Sequence, residues 1–159
     1  MKSIFTKTLT YLKQHKFSVV IAVILTLAAI LRFYNFSNHW GISNDDTRDI
    51  SIAREALLRR EIPMIGSFSS AGPFVFGPHF YWTIMISVVL FPFTILAAWI
   101  FIGIIGMINV LVLIYCGYLL GGKKLAVITG FFAATSSQLV IRTLVLGQHS
   151  YVALASSLM

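Results

Sequence analysis

Charged side chains are scarce in this chain of 159 residues: 11% are charged and 58% are apolar, and the mean hydropathy is +0.88. Soluble domains carry about 25% charged residues, so this sequence has too little polar surface to cover a water-soluble globule. The same composition excludes a disordered chain. The single cysteine, Cys116, excludes a disulfide framework and a cysteine-based metal cluster. We therefore expect an integral membrane protein of the all-α class.

Acidic side chains are scarcer still, with 5 of them against 12 lysines and arginines, for a net charge of +7. In so apolar a chain this positive charge indicates contact with anionic lipid headgroups rather than with nucleic acid. Four lysines precede the first apolar run, which predicts a cytoplasmic N-terminus. All the acidic residues fall within one stretch of 17 positions: Asp45, Asp46, Asp49, Glu55 and Glu61.

Long uncharged runs indicate a polytopic membrane protein, because crossing a hydrocarbon core of about 30 Å takes roughly 20 apolar residues. The first run is slightly short, and Arg32 at its end is expected to snorkel towards the membrane surface. A cleaved signal peptide is disfavoured because no small-x-small cleavage site follows Leu31. The predicted organisation begins with a cytoplasmic basic amphipathic segment at 1–16, a first transmembrane helix at 17–34 and an extracytoplasmic loop at 35–93. A second transmembrane helix at 94–120, a cytoplasmic turn at 121–124 and a third transmembrane helix at 125–141 follow. The chain then has an outer loop at 142–150 and the start of a further helix at 151–159.

The extracytoplasmic loop is predicted to carry two interfacial helices, at about 45–60 and 78–91. Residues 62–122 also allow two spans broken near Phe91-Pro92-Phe93, but that arrangement would put Lys123 and Lys124 outside, against the positive-inside tendency. Whether 78–91 crosses the membrane or lies in it stays open. Because the last apolar segment has no visible end, we expect the chain to be the front part of a longer protein.

The start of the helix at 45–60 carries the most distinctive chemistry. Ser43 or Asn44 can cap it, and Asp45 and Asp46 in its first turn complement the helix dipole. Helix capping alone explains both acids. The alternative is that one carboxylate at the membrane surface acts as a general base on an incoming hydroxyl. Adjacent helix positions differ by about 100° in direction, so the two acids cannot serve one site equally.

The order of these features resembles the front end of membrane glycosyltransferases of the C superfamily. It is most similar to the group of dolichyl-phosphate-mannose–protein mannosyltransferases and aminoarabinose transferases (glycosyltransferase family 39-like). The features that carry the resemblance are Asp45-Asp46, Ile52-Ala53-Arg54-Glu55, the loop from Gly66 to Gly77, the step Gly77-Pro78-His79-Phe80-Tyr81-Trp82, the turn Lys123-Lys124 and the run Ala134-Thr135-Ser136-Ser137.

The resemblance implies transfer of a sugar from a polyprenyl-phosphate-linked donor to a protein, lipid or glycan acceptor on the extracytoplasmic face of the cell membrane. It implies Asp45 and Asp46 as catalytic residues, with Asp45 the first candidate. No cofactor or metal site is predicted, and a requirement for a divalent metal is left open. The residues assigned to the donor phosphate or the substrate are Arg48, Arg54, His79, Arg142, Gln148 and His149.

The sequence departs from the family pattern at four places. The second acid is Asp46 where the family has Glu, and Thr47-Arg48-Asp49 stands where the family commonly has an aromatic pair. Phe76-Gly77-Pro78-His79 replaces a Lys-Pro-Pro step, which removes a lysine suited to phosphate, and Gly147-Gln148-His149 stands where many members carry an acid. These departures bear on the donor sugar, the use of a metal and the substrate. As a fragment the chain is expected to be inactive alone.

A non-enzymatic polytopic membrane protein, such as a transporter fragment or an assembly subunit, is the alternative. Transporters place charges along a pathway inside the membrane, whereas the charges here avoid the predicted spans and collect in one outer loop. This distribution favours chemistry at the surface. A zinc site from His39, His79 and His149 is disfavoured because they come from distant segments without ligand spacing.

Overall fold

The computed structural model describes residues 16–34, 43–69, 72–92, 94, 96–147 and 149–159. These residues form helices and connecting segments without a β-strand, so the predicted all-α class is confirmed for them. The helices are α1 (Lys16–Phe33), α2 (Asn44–Arg59), α3 (His79–Leu90), α4 (Ala97–Thr135), α5 (Ser137–Arg142) and α6 (Val152–Leu158).

Helix α4 is a hairpin of two arms, residues 97–120 and 123–135, that join at a glycine pair. Gly121 has φ −150° and ψ 20°, and Gly122 has φ 66° and ψ −158°, a backbone conformation open essentially to glycine alone. The arms then run back along each other. A Cβ at Gly117 would meet Ala126 Cα at 3.1 Å, and one at Gly130 would meet Ile114 Cγ1 at 2.6 Å. These small residues let the two backbones approach closely.

Helix α1 packs along this hairpin and completes one apolar core. Ile24 and Ala28 of α1 are buried with Val110 of the first arm and with Ala126 and Ala133 of the second. The helices of this core are apolar on nearly every face, so large side chains such as Val23, Ile30, Leu119 and Phe132 stay exposed on its surface. Such an exposed apolar surface is typical of helices that face lipid.

Arg32 is buried at the C-terminal end of α1 rather than extended towards a membrane surface, so the expected snorkelling is wrong. Its side chain is 1% exposed. The guanidinium donates from Nη1 to the carbonyl of Ala134 at 3.3 Å and from Nη2 to that of Ala133 at 3.4 Å. Because those carbonyls lie at the end of the second arm of α4, Arg32 caps the negative end of that helix.

Helices α2 and α3 pack against the start of α4 at the other end of the hairpin. Ala53 of α2, Phe80 and Ile84 of α3, and Trp99 and Ile102 of α4 form a second buried cluster. The molecule therefore has two ends, one carrying α2 and the acidic residues and the other carrying the glycine turn of α4. A helix rises about 1.5 Å per residue, so the 24 residues of the first arm separate these ends by roughly 36 Å.

Two of the helices, α1 and α4, are long and apolar enough to cross a membrane, by length and composition. Helix α3 is also apolar but has only 12 residues. The segment predicted as a third span, 125–141, is interrupted at Ser136, which separates α4 from α5. The two helices predicted in the loop occur at Asn44–Arg59 and His79–Leu90, within one residue of their predicted bounds.

Candidate functional site

The start of α2 is fixed by a reciprocal pair of side-chain hydrogen bonds. The backbone amide of Asp46 donates to Ser43 Oγ at 3.1 Å, and the amide of Ser43 donates to Asp46 Oδ2 at 2.8 Å. This is a capping box, which satisfies two amides that the first helical turn leaves without partners. Asp46 is 9% exposed and holds this position. Its carboxylate therefore serves the helix start, one of the two roles that the sequence allowed.

Arg48 joins two carboxylates of different exposure. Its Nη1 lies 2.9 Å from Asp45 Oδ1, and its Nε and Nη2 each lie 2.9 Å from Asp49 Oδ1. The Asp45 side chain is 74% exposed whereas that of Asp49 is 7% exposed. Because the hydrogen bond to Asp49 and the negative charge of both acids favour the charged guanidinium, they raise the pKa of Arg48. Asp45 thus keeps an oxygen facing water beside a fixed cation.

Asp49 also connects α2 to α3, a link that the sequence analysis missed. The hydroxyl of Tyr81 donates to Asp49 Oδ1 at 3.4 Å, a long hydrogen bond in a buried position. Burial, and next the charge of Asp49, raise the pKa of Tyr81. The signal was present in the spacing: positions 46, 49, 53 and 56 form the buried face of α2, so an acid on that face needed a polar partner.

A groove of about 380 Å³ opens between α2, α3 and the start of α4. Helix α2 supplies one wall with Thr47, Ser51 and Arg54, which lie on one side of the helix at spacings of three and four residues. The facing wall and floor are mostly apolar, from Ile84, Val88, Phe91, Pro92, Ala97, Ala98 and Trp99. The groove therefore combines an apolar bed, the three hydroxyls of Thr47, Ser51 and Thr94, and one guanidinium.

Arg54 is the cation of this groove. The described part of the chain contains ion pairs for Arg48 and Arg59 on α2 but none for Arg54. Asp45 does not line the groove. Positions 45 and 47 differ by about 200° around the helix axis, so Asp45 projects from the side away from Thr47, at the same end of α2.

The remaining predicted site residues lie elsewhere. The exposed ring of His79 packs edge-on against Tyr151, with centroids 5.2 Å apart. Arg142 lines a separate small cavity with Arg32 and Asn109, with room of about 10 Å³, enough for a single water molecule. His149 is exposed on the segment before α6, and Gln148 lies outside the described residues. The structure therefore brings together Asp45, Asp46 and Arg48 at the start of α2 and keeps His79, Arg142 and His149 apart from them.

Among the residues that the structure describes, no group of three or more His, Cys, Asp or Glu side chains could hold a metal ion. His39, one member of the zinc site weighed above, lies outside those residues.

Comparison with known proteins gives no relative. The chain matches no family model, no curated protein and no solved structure.

Proposed function

We propose that this chain is the N-terminal portion of a multi-pass membrane glycosyltransferase of the C superfamily. It transfers a sugar from a polyprenyl-phosphate donor to a hydroxyl acceptor at the extracytoplasmic face of the cell membrane, with its own N-terminus in the cytoplasm. The observation that carries the proposal is the groove between α2, α3 and α4. There the guanidinium of Arg54, which has no ion pair among the described residues, lies beside apolar side chains close to the acidic start of α2.

The groove suits a lipid phosphate better than a soluble sugar nucleotide. The apolar bed formed by Ile84, Val88 and Trp99 matches a prenyl chain, which gains by leaving water or disordered lipid. Arg54 matches the phosphate, because a guanidinium binds phosphate oxygens through two parallel hydrogen bonds. The hydroxyls of Thr47 and Ser51 lie between Arg54 and the N-terminal end of α2, where they can bind the sugar.

In this scheme Asp45 acts on the acceptor. Its exposed carboxylate takes the proton of the acceptor hydroxyl as that oxygen bonds to C1 of the sugar. The bond between C1 and the phosphate oxygen breaks, and the phosphate leaves with the electron pair and is stabilised by Arg54. A single displacement of this kind inverts the configuration at C1. Residues 45 and 54 are roughly 13 Å apart along the axis of α2 and about 180° apart around it, so the sugar has to extend from Arg54 past the N-terminal end of α2 to reach Asp45.

Arg54 is preferred over Arg48 as the phosphate ligand because Arg48 is engaged by two carboxylates. An anion at Arg48 would have to displace Asp45 or Asp49. Asp46 is assigned to the helix start rather than to the reaction, because its carboxylate is held by the Ser43 amide.

Donor binding can be measured on this chain directly, because Trp99 lines the groove. Titration with a short polyprenyl phosphate in detergent is expected to change the tryptophan fluorescence, and Arg54→Gln is expected to weaken binding at least tenfold. Arg60→Gln removes an equal charge from an exposed site near the end of α2 and is expected to bind like the wild type. Equal binding by the wild type and Arg54→Gln would remove Arg54 from the donor site.

Transfer itself is tested on the intact protein in its native membrane. Asp45→Asn is expected to abolish sugar transfer while polyprenyl-phosphate binding persists, and Glu61→Gln, an exposed acid after α2, is expected to leave transfer unchanged. Transfer that survives Asp45→Asn would exclude Asp45 as the base. Absence of transfer by the wild type with every polyprenyl-phosphate sugar tested would favour the non-enzymatic alternative.

A further inference from the structure

A second groove lies at the end of the molecule that carries the glycine turn. It measures about 470 Å³ and runs between the start of α1 and the start of the second arm of α4. Its walls are the apolar side chains of Phe17 and Val20 from α1 and of Val127 and Ile128 from α4. This groove is remote from the acidic helix α2, which packs at the opposite end of the hairpin.

Three lysines surround this apolar groove: Lys16 of α1 and the neighbours Lys123 and Lys124 of α4. The ammonium group of Lys123 lies 5.8 Å from the ring centroid of Phe17, so this lysine folds over one wall of the groove. Such a contact between a cation and an aromatic face holds the charge at the rim of the groove.

No acidic side chain lies near these lysines to neutralise them. Every acidic residue of the sequence lies between positions 45 and 61. Helix α2 carries the first four of them and packs on the start of α4, roughly 36 Å from the glycine turn by the length of the first arm. This separation far exceeds the Debye length of about 8 Å at physiological ionic strength, so the three positive charges act together on whatever approaches this end.

We propose that this groove binds an anionic phospholipid of the cytoplasmic leaflet. The acyl chain lies between α1 and α4 against Phe17, Val20 and Ile128, and the phosphate sits among the ammonium groups at the rim. A soluble anion would gain only the charge interaction and would leave the apolar walls uncovered. A phospholipid covers the apolar walls with its acyl chain and pairs its headgroup with the lysines at the rim. Basic pockets between helices on the cytoplasmic side suit anionic headgroups. The site is independent of the proposed glycosyl transfer.

The test compares two lipids that differ only in headgroup charge. The full chain, purified in neutral detergent, is titrated with phosphatidylglycerol or phosphatidylcholine of identical acyl chains, and bound lipid is counted by native mass spectrometry. Phosphatidylglycerol is expected to bind tighter. The double variant Lys123→Gln/Lys124→Gln is expected to weaken its binding by about fivefold per lysine. The double variant Arg59→Gln/Arg60→Gln removes the same charge from α2 and is expected to leave lipid binding unchanged.

A variant that fills the groove distinguishes a lipid site with apolar walls from a surface that is only basic. Ile128→Trp places a larger side chain at a half-exposed position in the wall and keeps every charge. It is expected to lower the affinity for phosphatidylglycerol at an unchanged melting temperature, and Lys123→Arg/Lys124→Arg is expected to retain that affinity. Equal affinity for the two lipids, an unaffected Gln double variant or an unaffected Ile128→Trp variant would each overturn the proposal. Displacement of the lipid by free glycerophosphoglycerol, which has no acyl chain, would show a simple anion site instead.

Discussion

At the residue scale, the four neighbouring charged side chains from Asp45 to Asp49 have separate tasks. Asp46 holds the helix start, Asp49 is buried against Arg48 and Tyr81, and Asp45 faces water. The sequence predicted that the paired acids would divide their roles, because adjacent helix positions point in different directions. It could not predict the task of Asp49, because the partner hydroxyl comes from a position 32 residues later.

The capping role of Asp46 predicts a local loss of stability. Asp46→Ala removes the acceptor for the Ser43 amide and is expected to destabilise the first turn of α2 by about 1 kcal/mol. Amide hydrogen exchange over residues 44–50 measures it. Asp45→Asn keeps the capping box and loses only an exposed ion pair, so a change below about 0.5 kcal/mol is expected. If the two variants exchange at the same rate, the capping box does not set the stability of this turn.

The raised pKa of Tyr81 predicts a dependence of stability on alkaline pH. In the unfolded chain a tyrosine ionises near pH 10, whereas the folded protein holds Tyr81 neutral to a higher pH because it is buried beside Asp49. Above about pH 10 the unfolded state therefore binds fewer protons than the folded state, and stability falls as pH rises. Tyr81→Phe removes this contribution, so its melting temperature is expected to fall less between pH 9.5 and 11.

The control for this titration is Tyr34→Phe, because Tyr34 is 74% exposed at the end of α1. It is expected to follow the wild type over the same pH range. At neutral pH, Tyr81→Phe is expected to cost less than about 1 kcal/mol, because its hydrogen bond to Asp49 is long. Parallel alkaline curves for the wild type and Tyr81→Phe would contradict the assignment.

At the scale of elements, local signals predicted where α2 and α3 start, and a distant contact accompanies the end of α4. Ser43 and Pro78, each directly before a helix, let the sequence predict α2 and α3 to within one residue. The interruption at Ser136 has no glycine or proline to announce it. A continuous helix would pair the carbonyls of Ala133 and Ala134 with the amides of residues 137 and 138, but both accept from Arg32, about 100 positions earlier. Hydrophobic periodicity contains no information about such a contact.

The hairpin of α4 depends on Gly122, which has φ 66° and ψ −158°. Gly122→Ala introduces a Cβ into a conformation that side chains disfavour and is expected to lower stability by about 1–3 kcal/mol. Thermal unfolding in detergent, followed by circular dichroism, measures the loss. Gly147→Ala is the matched control, because a Cβ there meets no atom within 4 Å. A Gly122→Ala variant as stable as the control would show that the turn tolerates another backbone conformation.

At the scale of the whole molecule, the acidic side chains and the lysines of the second groove lie at opposite ends, and each end has a groove. Asp45, Asp49 and the groove lined by Arg54 lie where α2 and α3 pack on the start of α4, and Lys16, Lys123 and Lys124 lie at the glycine turn. The first arm of α4, about 36 Å long, matches the hydrocarbon core of about 30 Å. Both proposals require the two ends to lie on opposite sides of the membrane, because one site takes its acceptor from outside and the other takes a lipid from the cytoplasmic leaflet.

This arrangement predicts opposite accessibility for two positions in sealed vesicles of known orientation. After the native thiol is removed by Cys116→Ser, Glu61→Cys is expected to react with a membrane-impermeant maleimide added outside right-side-out vesicles. Lys124→Cys is expected to react only after the vesicles are permeabilised, since the proposed topology, which follows the positive-inside tendency, puts the lysine pair on the cytoplasmic side. Both positions are exposed, so a failure to react reports the membrane rather than burial. Labelling of both from the same side would require the first arm not to cross, and protection of Glu61→Cys in the sealed vesicles would separate the acidic helix from any acceptor outside the cell.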